Sequence, residues 1–170
     1  EQDYQTSPYS RYSASQKDNI STEHILVQLN HFIQLSERLS LNTSIYNNDF
    51  SRNWYKTSKI DGASLGSGGI EIAAQHDSNA TDSISVDVKA NSRDYLSQGI
   101  QTALNIDANA HQLKVGLRLH KDEMDRFQWV DKYSIDTNYL MQLTAKGIPG
   151  TDSNLIDSAQ ALALFVHNEW

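Results

Sequence analysis

The stretch Gln112-Leu-Lys-Val-Gly-Leu-Arg-Leu-His120 decides the fold. Leu113, Val115, Leu117 and Leu119 alternate without a break against Gln112, Lys114, Gly116, Arg118 and His120. That period of two belongs to an extended strand, whose successive side chains point to opposite faces. One face is aliphatic and the other is polar.

The rhythm recurs on both sides. Over residues 91–106, Leu96, Ile100, Thr102, Leu104 and Ile106 oppose Arg93, Tyr95, Ser97, Gly99, Gln101, Ala103 and Asn105, and Asp107-Ala-Asn-Ala110 supplies a short turn into the quoted strand. Over residues 23–34, Ile25, Val27, Leu29 and Ile33 oppose Gln28, Asn30 and Gln34, with Leu26 and Phe32 interrupting the polar side. Ser36-Glu37-Arg38 is a tight polar break, and residues 39–55 follow with Leu41, Thr43 and Ile45 opposite Asn42, Ser44 and Tyr46. Past Asn47 and past His120 the alternation gives way to residues polar on both faces. Residues 158–170 place Leu162, Leu164 and Val166 against Ala161, Ala163, Phe165 and His167. Local propensity over 159–164 favours helix, with Asp157 or Ser158 as a cap, but the neighbouring pattern assigns a strand.

Between these segments, residues 59–90 are rich in glycine and then polar, which predicts a long loop with a single helical turn at 70–74. A second long connection is expected at about 133–157, with a small hairpin at 139–145. The expected fold class is therefore all-β, with about five long antiparallel strands in one segment spanning residues 1–170.

Composition narrows the function classes. A net charge of −7 with no Lys/Arg cluster removes the basic footprint that phosphate-backbone binding needs, so nucleic acid is not an expected partner. The absence of cysteine rules out a disulfide scaffold and any thiol chemistry. The hydrophobic share of 38% is too low for a thick dry core. No run is long and apolar enough for a spanning helix, whereas strands that cross a membrane need only about 9–11 residues with every second one apolar.

Connection lengths carry the architecture further. They alternate: short at 35–38, long at 59–90, short at 107–110, long at about 133–157. Outer-membrane β-barrels have short periplasmic turns, long extracellular loops, apolar residues facing lipid and polar residues facing the lumen. Pro8 and Pro149 both fall in inferred loops, and Trp170 sits where the last strand would meet the periplasmic interface. Alternation alone fits equally a soluble sandwich with one face buried. The asymmetry of the connections favours the barrel wall.

Four segments carry a resemblance: Arg11-Tyr-Ser-Ala-Ser-Gln-Lys-Asp-Asn19, Asp49-Phe-Ser-Arg-Asn-Trp-Tyr-Lys56, Val115-Gly-Leu-Arg-Leu-His-Lys-Asp-Glu-Met-Asp-Arg-Phe-Gln-Trp129, and the run from Asp157 to Trp170. They resemble the barrel of TonB-dependent outer-membrane receptors, ferric-citrate-like siderophore branch. The resemblance implies a barrel of about 22 strands with an N-terminal plug, importing a ferric chelate across the outer membrane of a Gram-negative bacterium. It implies a ferric chelate, outer-membrane lipid and TonB as partners, the last through an N-terminal part that this chain lacks. Plug and energy-coupling box are missing, and about five strands cannot close such a barrel. The open edges invite edge-to-edge self-association. The alternative from another class is a soluble all-β module, a carbohydrate-binding sandwich.

Neither reading calls for an enzyme, and no cofactor is expected. Asp122, Glu123 and Asp125 could form a carboxylate pair or a cation site, but we read them as a solvated strand end. His120 and Asp122 share a face at i, i+2, and no third metal ligand is placed by the sequence. Gly66-Ser-Gly-Gly69 lacks the flanking strand and the Lys-Ser/Thr of a phosphate cradle. A citrate-type ferric chelate is anionic, which makes Arg52, Arg93, Arg118 and Arg126 the candidate ligand-binding residues.

Overall fold

The computed structural model describes Tyr9 and residues 11–170, and Pro8 lies outside the described residues. Strands take up 71% of the described residues, in antiparallel arrangement with one α-helix. The elements are β1 (Asn19–Ser36), β2 (Leu39–Ile60), β3 (Ala63–Ser64), α1 (Gly69–Ser78), β4 (Ile84–Ala108), β5 (His111–Ile135), β6 (Met141–Ala145) and β7 (Asp152–Glu169), with short 3-10 turns at Ser13–Ser15 and Leu65–Ser67. All seven strands form one sheet in the order β1-β2-β4-β5-β6, with β3 pairing β2 and β7 pairing β5. The all-β expectation and the five long strands are thus observed.

Element boundaries differ from the expectation where turn chemistry or a buried face outweighs polar composition. β2 runs to Ile60 and folds back through Asp61 (φ 45) and Gly62 (φ 79) onto β3, pairing Lys59 with Ser64 and Ile60 with Ala63. Asp-Gly with both φ positive is the two-residue hairpin turn whose twist matches the flanking strands. The predicted loop at 59–90 therefore contracts to a structured connection. At its end Ile84, Val86, Val88 and Ala90 alternate inward as the start of β4. The expected single helical turn is the ten-residue α1, which buries Ala73 and His76 at i, i+3 on one face. Its last turn closes with the Asn79 N–H donating to the Gln75 carbonyl at 3.1 Å.

The second connection also carries more strand than expected. β6 pairs back on β5, Ile135 with Met141 and Tyr133 with Leu143, with an irregularity at Lys132/Tyr133. The intervening turn is held by the Asp136 carboxylate, which accepts from the Asn138 and Leu140 N–H groups at 2.9 and 3.0 Å, an Asx turn. β7 begins at Asp152, six residues before the sequence pattern becomes regular at 158. The strand assignment over 159–164 holds, because pairing with β5 supplies hydrogen bonds that local helix propensity cannot match.

The chain divides into two compact units. The first comprises Glu1–Ser21 as far as it is described, Arg52–Ser92 and Arg126–Asn154. It holds a hydrophobic core of Ala14, Ile60, Ala73, Ile84, Val86, Val88, Ile135 and Met141, with Tyr55, Leu65, Ile72 and Tyr133 packed against it. Burying a valine or isoleucine side chain stabilises by about 1.5–3 kcal/mol, so this cluster anchors the unit. Residues 13–18 clasp it together. Asp77 of α1 accepts from the Ser13 N–H at 2.8 Å, Thr57 Oγ1 of β2 donates to the Ala14 carbonyl at 2.6 Å, and Gln16 Nε2 donates to the Tyr139 carbonyl at 2.7 Å.

The second unit comprises Thr22–Ser51, Arg93–Asp125 and Leu155–Trp170. Its packing is of another kind. Of its hydrophobic residues only Ala103 is buried, while Ile25, Val27, Leu29, Ile45, Ile100, Leu117, Leu119, Leu162, Leu164 and Val166 are exposed, each on the apolar parity of its strand. Thr43 and Thr102 meet on this face at 3.1 Å, which fixes the register of β2 against β4. The polar face is knitted sideways: Gln28 Nε2 donates to Ser44 Oγ at 3.1 Å, Ser44 donates to Asn30, and Asn105 Nδ2 reaches Ser40 Oγ at 3.3 Å.

Candidate functional site

On the polar face of the second unit, three side chains of one strand meet a fourth, Tyr46, that chain position does not bring to them. The strand pattern of β2 puts Tyr46 on the polar side, and that of β5 does the same for Arg118, His120 and Asp122. The Tyr46 hydroxyl lies 2.5 Å from His120 Nδ1, across 74 residues of sequence. Arg118 donates to the same hydroxyl from Nε at 3.2 Å and from Nη2 at 3.0 Å, and its guanidinium lies 5.8 Å from the Tyr46 ring centroid. His120 Nε2 faces an Asp122 carboxylate oxygen at 2.8 Å. With Asp122 accepting from Nε2–H, Nδ1 is left to accept from the tyrosine hydroxyl.

Gly99 on β4 makes this possible. A Cβ there would stand 2.5 Å from the Tyr46 hydroxyl and 2.6 Å from the Leu119 carbonyl, so the tyrosine can cross β4 to β5 only because position 99 has no side chain. Gly116 plays the same part beside β7, where a Cβ would run into the Phe165 ring. An aromatic ring laid over a strand glycine restores the packing that the glycine lacks.

The guanidinium of Arg118 spends two of its five donor N–H groups on one neutral hydroxyl. No salt bridge to Arg118 occurs among the described residues. A half-buried cation of this kind suits an anionic group, because charge-assisted hydrogen bonds to carboxylate are stronger than those to neutral acceptors.

The other three arginines sit differently. Arg93, also in the second unit, has Nη1 3.4 Å from the Tyr95 hydroxyl and a buried Nε without a hydrogen-bond partner. In the first unit, Arg126 Nε donates to the Ser153 carbonyl at 2.7 Å, and Arg52 Nε is buried without a hydrogen-bond partner. Of the four, Arg118 is the one hydrogen-bonded to a side chain of another strand, since Arg93 reaches Tyr95 on its own strand and Arg126 a backbone carbonyl. Sequence reasoning placed Tyr46 on the wet face but gave it no role, and the signal that could have raised it is Gly99, a glycine inside an otherwise regular strand.

The first unit holds a second polar cluster. Tyr55 donates to Asp131 at 2.5 Å and lies 2.9 Å from the Tyr133 hydroxyl, while the Gly147 N–H donates to the other Asp131 oxygen at 2.6 Å. Burial, and then the hydrogen bonds to Asp131 and Tyr133, push the Tyr55 hydroxyl far above the ordinary tyrosine range. Such a group stays protonated. It ties β2 to β5, and Asp131 in turn holds the connection before β7 through the Gly147 N–H.

Asp122, Glu123 and Asp125 do not form a carboxylate cluster with each other: Asp122 is engaged by His120, and Glu123 by Lys121 at 2.9 Å. No group of three or more His, Cys, Asp or Glu that could hold a metal ion occurs among the described residues. Ser67 belongs to a 3-10 turn and Gly68 (φ 101) precedes α1, so the glycine-rich segment serves as the helix entry.

The structure thus defines the class as an all-β sheet protein with one unit cored by a helix and another whose apolar face is bare. No protein-family model matches the chain, and no curated protein matches it.

Proposed function

We propose that this chain forms part of the wall of a TonB-dependent outer-membrane receptor that binds and imports a ferric chelate, siderophore or ferric citrate, without catalysing a reaction. The observation that carries the reading is the bare apolar face of the second unit. Val27 is 62% exposed and Leu164 75%, and their neighbours on the same parity are exposed with them. Monomeric soluble proteins rarely leave so continuous an apolar surface open, whereas a barrel wall turns it to lipid.

Supporting this, the unbroken alternation over residues 112–120 is nine residues long, a length with which a tilted strand crosses the hydrocarbon. The two-residue turns Glu37-Arg38 and Asn109-Ala110 take the periplasmic role, and the structured connections after β2 and after β5 the extracellular one. The polar face lines the lumen, with Arg118 as the contact for the anionic chelate. A carbohydrate-binding sandwich would need a second sheet over the apolar face, and the described strands all belong to one sheet.

The experiment is site-directed fluorescence quenching in liposomes. A single cysteine at Val27, Leu117 or Leu164, carrying an environment-sensitive dye, is expected to be quenched by brominated acyl chains. One at Asn30, Arg118 or Ala163 is expected to stay unquenched. Equal quenching on both parities, or a monodisperse monomer that unfolds cooperatively in plain buffer, would sink the proposal.

A further inference from the structure

The tyrosine hydroxyl that joins β2 to β5 is fully engaged. It accepts two N–H groups of Arg118 and, with Nε2–H of His120 turned to Asp122, it donates its one proton to Nδ1. Arg118 Nη2 also stands 3.3 Å from the same Nδ1. A guanidinium can only donate, so this geometry belongs to a neutral imidazole whose Nδ1 lone pair accepts.

A proton on Nδ1 reverses those roles. Nδ1–H and the Arg118 N–H would then face each other as two donors on two cations. Only 16% of the His120 side chain is exposed, so the new N–H depends on a neighbouring acceptor more than on water. The surrounding strands bring no carboxylate to that nitrogen. On β2 the titratable neighbour is Tyr46, and on β4 Ser97 hydrogen-bonds Asp122 while Gly99 has no side chain. On β5 the charged neighbours are Arg118 and Asp122, the latter already at Nε2. β7, which pairs with β5, carries Ala159, Ala161 and Ala163 on its polar parity, and its Asp157 lines a cleft that Asp122 shares and that Arg118 and His120 do not.

We infer that these side chains form a proton-coupled anion site, in which a carboxylate group of an anionic ligand bridges Arg118 and His120 and its binding takes up one proton from solvent at Nδ1. One carboxylate oxygen replaces the Tyr46 hydroxyl as acceptor for the guanidinium, which exchanges a neutral acceptor for a charged one. The other oxygen accepts Nδ1–H. The Tyr46 hydroxyl, no longer the donor to Nδ1, is free to donate to the anion as well. By linkage, proton and anion each strengthen the binding of the other by the same factor. The site therefore grips its ligand in acid and loosens as the pH rises. This rests on the reading of Arg118 as an anion contact.

The test uses the full chain in uncharged detergent micelles, with sulfate as the probe. Sulfate offers the same acceptor oxygens and stays ionised throughout, so any proton taken up belongs to the protein. Followed by NMR between about pH 5 and 8, sulfate should bind more weakly as the pH rises, by up to about tenfold per unit, as uptake of one proton requires. At a fixed pH near neutrality, adding sulfate should move the His120 Nδ1 resonance toward its protonated position. His120→Gln should bind sulfate with an affinity that no longer changes with pH, and Arg118→Gln should bind none. Sulfate that does not bind, binds equally well at both ends of the range, or binds His120→Gln with the pH slope of the unaltered chain would overturn the inference. The liposome quenching tests the wall and this titration the site, so either can fail without the other.

Discussion

A glycine and a tyrosine show how much hangs on single positions in this sheet. Gly99 leaves room for the Tyr46 hydroxyl to reach Arg118 and His120, and a Cβ would also press on the Leu119 carbonyl. Gly99→Ala is therefore expected to destabilise the fold by about 1–3 kcal/mol, read from denaturant unfolding in detergent. In the same variant, NMR spectra of the His120 ring should show Nδ1 no longer hydrogen-bonded to the tyrosine hydroxyl. In the first unit, Tyr55→Phe removes a hydrogen bond from the buried Asp131 and is expected to cost about 1–3 kcal/mol. The same hydroxyl makes stability depend on pH. Because its pKa is raised in the folded state, its contribution is complete below the ordinary tyrosine value near 10 and is lost as the pH rises above it. An ultraviolet titration should find Tyr55 the last tyrosine to ionise, and alkaline unfolding should be shallower in Tyr55→Phe. Charge chemistry alone picked out the four arginines as candidates. That Arg118 hydrogen-bonds a side chain of another strand was not legible, because it depends on a partner 72 residues away.

Among the elements, β7 turns, on the proposed reading, one parity toward lipid and the other toward the lumen. Leu164 lies on its apolar parity and Ala163 on the polar one. On the proposed reading, Leu164→Arg costs about 2–4 kcal/mol of folding free energy in lipid, as a cation at mid-depth does in a barrel wall, and Ala163→Arg costs far less. Folding titrations in phospholipid vesicles would show the difference, and equal costs would remove β7 from the membrane. The long strands were legible because alternation repeats locally, from Leu113 to Leu119 above all. The start of β4 was masked for a physical reason: Ile84, Val86, Val88 and Ala90 follow a polar run, and the composition of the run hid four alternating residues that the core buries. α1 was foreshortened for a similar cause, since only Ala73 and His76 of it are deeply covered beyond its glycine start.

For the whole molecule, the decisive contrast lies between a unit with its own hydrophobic core and a unit that has none. A chain of this kind should lose the second unit's protection first when detergent is withdrawn, and hydrogen exchange should show β4 amides near Val86 and Val88 outlasting those near Ile100. Uniform protection along β4 would contradict that division. What the sequence determined by itself was the all-β class, the apolar and polar parity of the long strands, and the two short breaks at 35–38 and 107–110, because a period of two and a turn residue act over a few neighbouring positions. Only the tertiary structure decided the cross-strand register, the clasp of residues 13–18 over α1 and β2, and the meeting of Tyr46 with Arg118 and His120. Those depend on which distant strand lies alongside, and pairing is fixed by packing and hydrogen bonds between segments far apart in the chain.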